Sequence, residues 1–480
     1  MSVFFFWGFV AASNDILIPV FKEKLHMEQW QVQMVSFAFY VAYTVGSLIY
    51  YIISRMMGED ILNKIGYKNG IALGLIISAT GTLLFIPAAN SASFNMMITG
   101  LFIVGLGFSL QQTAANPLAI NMGDPSKGSQ RLSLAGGINN IGTTIGPVLL
   151  SLAIFGSVNA GNSSTLADIE SIKTPYLILG AAFILVAILF KFSSIPDKLE
   201  NTVGNNESKS DESVLDSTSS NVSRKNSLAY PQLWMGMIAI FMYVGVEVST
   251  AGNLSDFLKQ EMKLETNQVA PFVSLFWASL MIGRWTSAAG VFSTDNKVKF
   301  ALGLIMPYLA FGLFILINYI VGNDISSFGW YPLVIVVMIA GDLLSKGNPA
   351  RQLLIFSIMG IAALATGIIS TNPMISAYSF MSVGLFCSTL WPCVFTLAIS
   401  GLGKHTNEGS GFLVMMIMGG GFISLLQGYL AGDALLGIKS SYVVGIGCFA
   451  YLAFYAVKSV KILKAQGIFL DTKSENRTSK

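Results

Sequence analysis

The sequence predicts an all-α membrane protein made of two six-helix halves, and three observations carry that prediction. Of 480 residues, 53% are hydrophobic and only 11% charged, with mean hydropathy +0.64; a soluble domain carries about a quarter charged residues. Apolar runs long enough to cross a bilayer recur along the chain. The runs also repeat in parallel order. A constant shift lays Leu17 on Leu254, Lys22 on Lys259 and Glu28 on Glu265, and Gln31, Val32, Phe39 and Gly46 on Gln268, Val269, Phe276 and Gly283. LAINMGDPSKGS (118–129) likewise matches LAISGLGKHTNEGS (397–410) across a short insertion. Parallel six-span repeats are the plan of many secondary transporters, with the substrate held between the repeats near the midplane. The net charge of +3 gives no basis for a nucleic-acid partner, and Cys387, Cys393 and Cys448 lie in apolar runs and read as core thiols.

The first half, residues 1–192, has apolar runs at 3–21, 30–54, 70–90, 95–121, 132–157 and 174–192. In the first run Asn14-Asp15 sits mid-span, where an ionisable group costs at least ~3 kcal/mol and faces a wet cavity or the bundle interior. Gly8, Ala11 and Ala12 precede Asp15 at helical spacing and leave room beside it, and Pro19 and Lys22–Lys24 close the run. Residues 193–232, rich in Ser, Asn, Asp, Glu and Lys without apolar periodicity, read as a flexible linker. The second half, 233–458, has eight runs, at 233–258, 269–292, 299–321, 328–344, 352–371, 376–401, 410–431 and 441–457. By elimination the surplus is a hairpin within 297–348, which makes about fourteen spans. Its lone Asp342 is placed at the inner interface without a functional role, and residues 459–480 read as a polar tail.

Positive charge sets the orientation. Arg55, Lys64, Lys68, Lys127, Arg131, the linker lysines and arginine, Lys297, Lys299, Lys346, Arg351, Lys404 and the tail lysines fall on one side. Only Lys22, Lys24, Lys173, Lys259, Lys263 and Lys439 fall on the other. Both termini and the linker are therefore expected in the cytoplasm. No basic leader precedes the first run, so no cleavable signal peptide is expected.

Polar residues inside the other spans complete a candidate site. Gln112 and Asn116 share a helix face, with Gln111 turned about 100° away. Asn139 shares a face with Gly136 and Thr143, and Asn140 is adjacent. Glu247 lies in YVGVEVSTAGN with Tyr243 and Thr250 on its face; Trp391-Pro392, Gly419–Gly421 and Gln427 occupy later spans. A lone amide in a span joins helices and is worth only ~0.6 kcal/mol. Several amides together with two carboxylates and an indole suit a hydroxyl-rich ligand: amides and carboxylates bond hydroxyls, and an aromatic face covers the C–H face of a sugar. By repeat position Asp15 and Glu247 differ in depth by ~7.5 Å, so a cavity between the halves reaches both. Arg284 is placed near the inner end of its span, which leaves both carboxylates without an obvious cation. An unpaired carboxylate in a dry site takes up a proton readily. His26 and His405 lie in loops, and no nucleophile–base pair or metal-ligand cluster occurs, so no enzyme, metal or cofactor is expected.

At these residues the chain resembles the fucose/glucose–galactose group of sugar transporters in the major facilitator superfamily. WGFVAASNDILIP resembles that group's first-span motif, GLGFSLQQTAANP its fourth, RLSLAGGINNIG its fifth, YVGVEVS its seventh, and LWPCVF and GSGFLVMMIMGGG its tenth and eleventh. The resemblance implies the major facilitator fold. It also implies that Asp15 couples the proton and that Asn139 binds sugar; Glu247, the other unpaired carboxylate, is the second expected proton carrier. Asn14, Gln112, Asn116, Glu247, Trp391 and Gln427 complete the expected substrate set. The fucose/proton symporter has Glu where this chain has Gln112, and Gln where it has Glu247; the pattern here is similar to the glucose/galactose branch. The expectation is a monomeric hexose:proton symporter in a bacterial cytoplasmic membrane, glucose or galactose favoured, working by alternating access within the lipid bilayer. Fucose:proton symport, Na⁺-coupled hexose symport and a non-transporting sugar sensor are the alternatives.

Overall fold

The computed structural model describes residues 3–9, 29–91, 93–123, 127–155, 170–193, 226–264, 266–292, 295–432 and 434–469. Among them the regular elements are all helical. Residues 3–9 form the described part of the first span. There follow α1 (Gln29–Met57), the short α2 (Ile61–Ile65), α3 (Tyr67–Leu83), α4 (Phe85–Asn90), α5 (Phe94–Asn121), α6 (Gly128–Phe155) and α7 (Glu170–Lys191). The described chain resumes at residue 226, so the last residues of the expected linker are helical, with α8 (Pro231–Glu261), α9 (Thr266–Phe292), α10 (Asn296–Val321), α11 (Tyr331–Ser345), α12 (Pro349–Ile369) and α13 (Pro373–Cys387). The chain continues with α14 (Leu390–Ile399), α15 (Thr406–Met415), α16 (Gly419–Leu430), α17 (Gly437–Ser440) and α18 (Val443–Ala465). Ten helical stretches among the described residues are long and apolar enough to cross a membrane; the chain is an integral, multi-pass membrane protein.

Local chemistry sets the helix boundaries. Ser93, Asp295, Asn348 and Asn372 cap α5, α10, α12 and α13 by accepting backbone N–H groups of the first turn. Pro231, Pro349 and Pro373 open α8, α12 and α13, where a missing N–H costs nothing. The run at 70–90 is one span by hydropathy but breaks at Leu84, because Pro87 cannot bond the carbonyl four residues back. The last span also runs further than hydropathy implies. It continues to Ala465, and Gln466 and Gln232 then exchange amide bonds of 2.9 Å each way. That pair ties the end of α18 to the start of α8.

One packing pattern occurs twice. Residues 3–9 lie against α6: a Cβ on Gly142 would be 2.2 Å from the Phe5 carbonyl oxygen, and one on Gly8 1.9 Å from that of Asn139. In the same way α8 lies against α16, where a Cβ on Gly419 would be 2.1 Å from the Phe241 carbonyl oxygen. α5 packs on α1 and α3, and α3 on α7; α13 packs on α9 and α12, and α12 on α18. α10 and α11 stand outside this pattern, α10 lying along α9. Their outward faces carry Phe300, Ile305, Leu309, Ile320, Leu333 and Val337, all exposed, as a lipid-facing surface requires. One base of this pair is bonded into the bundle: Gln352 donates to Asp342 at 2.8 Å, and the Cys393 thiol lies 3.6 Å from Gln352 Oε1. Asp342 is therefore an anchor for α11.

Candidate functional site

Pro392 prepares the centre of the site. Its missing N–H and its ring interrupt the span, so α13 ends at Cys387 and α14 begins at Leu390. The carbonyl four residues back, that of Ser388, accepts the Arg284 Nε of α9 at 3.0 Å. The guanidinium then reaches across the bundle: Nη1 donates to Asn140 Oδ1 at 2.5 Å and to the Gly136 carbonyl at 3.3 Å, both on α6. Gly136 and Gly137 permit that approach, since added Cβ atoms would stand 3.1 Å from Arg284 Cδ and 2.6 Å from Trp285 Cδ1. On its other side Nη2 lies 3.4 Å from the Tyr243 hydroxyl, which donates to Glu247. The Trp391 ring is 6.2 Å from that of Tyr243. Carboxylate, phenol, guanidinium and amide thus form one chain of polar contacts from α8 through α9 to α6.

This placement corrects the sequence expectation for Arg284. Its Cα lies toward the end of α9, but a long apolar stem carries its charged head to Tyr243. Glu247 therefore has a cation two contacts away. The residue bonded across the bundle is Asn140, buried at 2% exposure, and its neighbour Asn139 donates Nδ2 to the Phe4 carbonyl at 2.9 Å. Two sequence signals mark the arrangement: paired glycines in α6 opposite Arg284-Trp285, and a proline four residues after the carbonyl that Arg284 takes.

The other expected residues are placed as follows. Gln112 donates to the Tyr43 hydroxyl at 3.0 Å and is partly buried. Gln111, on another face, is fully buried between Trp7 Nε1 at 2.7 Å and Ser78 Oγ at 2.9 Å. Asn116 is buried with its Nδ2 unpartnered. Gln427 is fully buried and lies 3.5 Å from Ser441 Oγ, its amide oxygen unpartnered. Trp391 also lies against Phe395, with ring centroids 5.6 Å apart. Asn14 and Asp15 lie outside the described residues.

The two sides of the bundle also meet at the end where α1 passes to α2 and where α7 ends. There the Tyr67 hydroxyl donates to Asn407, and Asn407 donates to Asn63 Oδ1 at 2.8 Å and toward Asp60 at 3.4 Å. Tyr50 donates to the same Asp60 at 2.7 Å, and Ser410 to the Thr113 carbonyl at 2.9 Å. Ser129 of α6 lies 3.8 Å from the Cys393 thiol. Burial raises the pKa of Asp60, partly offset by bonds from Tyr50 and the Leu62 N–H; its Oδ2 is buried without a partner. This end is closed.

The family model described as Major Facilitator Superfamily matches residues 1–341. A Brucella abortus protein named glucose/galactose transporter is 32% identical, the match covering 95% of this chain and 92% of that protein. The L-fucose-proton symporter of Escherichia coli is 27% identical over 95% of this chain and 91% of its own. The crystal structure of FucP in the outward conformation superposes with a TM-score of 0.68 at 24% identity, covering 95% of this chain and 97% of that one. With most of its length matched by the family model and a relative above 30% identity along nearly all of it, the chain belongs to the Major Facilitator Superfamily.

Proposed function

We propose that the protein is a hexose:proton symporter, with glucose or galactose favoured over fucose, that works by alternating access. The observation that carries the reading is Glu247, a partly buried carboxylate held by Tyr243 beside Trp391 and linked through Arg284 to Asn140 of α6. A carboxylate that accepts strong hydrogen bonds, with the ring of its Tyr243 donor 6.2 Å from the Trp391 ring, suits a sugar. The relatives' names, a glucose/galactose transporter and an L-fucose-proton symporter, point the same way. In this reading residues 1–192 and 233–458 are the two halves, 193–232 joins them, and 297–348 adds a membrane hairpin that brings the spans to about fourteen. The closed end faces the cytoplasm, with both termini there, in a bacterial inner membrane. Asp15 takes the coupling proton, and sugar binds among Asn14, Gln112, Asn116, Asn139, Glu247, Trp391 and Gln427.

The test is uptake of labelled hexoses into vesicles under an imposed pH or Na⁺ gradient, with competing sugars. The expected result is glucose or galactose accumulation driven by the pH gradient. Asp15→Asn should lose uphill accumulation and keep counterflow exchange, because exchange needs sugar binding without net proton movement. Uphill uptake persisting in Asp15→Asn removes that residue from the coupling role. Binding of hexose without any flux identifies a sensor instead.

A further inference from the structure

We propose that Arg284 is a positioning residue that competes with the sugar for Glu247, and that the closed end of the bundle decides which of the two holds the carboxylate. The inference rests on the reading of Glu247 as a sugar acceptor. In the closed arrangement the guanidinium is drawn away from Glu247. Nε is on the Ser388 carbonyl and Nη1 on Asn140 and the Gly136 carbonyl, while Nη2, among the described residues, reaches Tyr243 alone, at 3.4 Å. Glu247 keeps Tyr243 as its donor and has acceptor capacity left for a ligand.

Two of these acceptors belong to α6 and one to α13–α14, on opposite sides of the bundle. Opening the closed end separates α6 from α9, and the Asn140 and Gly136 bonds cannot survive that. A guanidinium inside a membrane is not left without acceptors, because an unpaired buried charge is far costlier than a paired one. Among the described residues, the anion already in reach through Tyr243 is Glu247. A planar fork turning to a carboxylate forms the stronger, charge-assisted pair and displaces sugar hydroxyls. Opening thus lowers sugar affinity on the side where sugar must leave. Ligands of a two-state protein act only through such differential affinity.

The variants Asn140→Ala, Arg284→Gln, Arg284→Lys and the doubles Asn140→Ala/Arg284→Gln and Asn140→Ala/Arg284→Lys test this. The measurements are equilibrium binding of labelled glucose or galactose to purified full-length protein and counterflow in vesicles. Asn140→Ala frees the guanidinium in the closed state and should weaken binding about tenfold. Arg284→Gln should bind within a few-fold of wild type but turn over at least about tenfold more slowly, since nothing expels the sugar. The Asn140→Ala/Arg284→Gln double should bind better than Asn140→Ala alone, a coupling that loss of packing at either site would not produce. Should Arg284→Gln fail to fold, the Asn140→Ala/Arg284→Lys double should still recover part of the binding, because an ammonium lacks the fork. If neither double binds better than Asn140→Ala, or if a folded Arg284→Gln loses binding outright, the competition does not exist. A wild type that binds none of these hexoses overturns instead the functional reading on which it rests.

Discussion

At Glu247 the physics turns on acceptors. A carboxylate offers two oxygens and no donor, whereas an amide offers one oxygen and a competing N–H₂. Tyr243 occupies one Glu247 oxygen, leaving the other for a hydroxyl-rich ligand. Gln112 is donor to Tyr43, so its amide oxygen is its acceptor for ligand. On this basis Glu247→Gln should weaken hexose binding severely, and Gln112→Glu alone should add an uncompensated charge beside Tyr43. The double exchange returns one carboxylate to the site and should recover binding in part, with preference moved toward fucose. The coupling expected in a double-mutant cycle is about 1–3 kcal/mol. Strict additivity in binding to purified protein means that the two residues do not share a ligand. Asn139 is an instructive neighbour. Its amide anchors the first span through Phe4, so a substitution there acts on the position of that span as well as on any ligand.

Among the elements, α10 and α11 are the ones the doubled packing pattern does not need. They are apolar outward and bonded inward at one base, where Asp342 meets Gln352. If they form a membrane hairpin, Ser326 at its tip and Val298 at its base, both exposed, lie on opposite sides of the bilayer. Single cysteines at Ser326 and Val298, in a background without Cys387, Cys393 and Cys448, should be labelled by an impermeant reagent from opposite faces. Labelling of both from one face rules the hairpin out. Gly347 is unsuitable for such a probe. Its φ of +72° strains any other residue, and a Cβ there would stand 2.9 Å from Gln130 Nε2. The broken tenth and eleventh spans have a use as well. The interruption at Ser388 supplies the carbonyl that turns Arg284 toward α6, and the glycines of α16 bring it onto α8.

For the whole molecule, the closed end should depend on pH through Asp60. Burial raises its pKa, so the closed end binds the proton more tightly than an opened end in which Asp60 is hydrated. Stability from this group is full below the ordinary carboxylate range and is lost as pH rises through the raised value. Labelling of a cysteine at Ser410, corrected against unfolded protein at the same pH, should become faster as pH rises from the ordinary carboxylate range toward neutrality, and Asp60→Asn should flatten that slope. An unchanged slope in Asp60→Asn assigns the dependence elsewhere. By itself the sequence determined that this chain lives in a membrane and where most spans fall, because hydrocarbon penalises every unpaired polar group and only long apolar helices escape that penalty. It also singled out the residues whose presence in a span needs a reason, Asp15, Glu247 and Gln112 among them. Partners were decided only by tertiary structure. Helical spacing fixes which face a residue occupies but not how far a side chain reaches or which helix lies opposite. The depth of the Arg284 Cα therefore says nothing of its guanidinium, which meets Tyr243 and Asn140. In the same way spacing cannot tell Asn140 from its neighbour Asn139 as the partner of Arg284; the glycines of α6 and the carbonyl freed by Pro392 give that cross-bundle bond to Asn140.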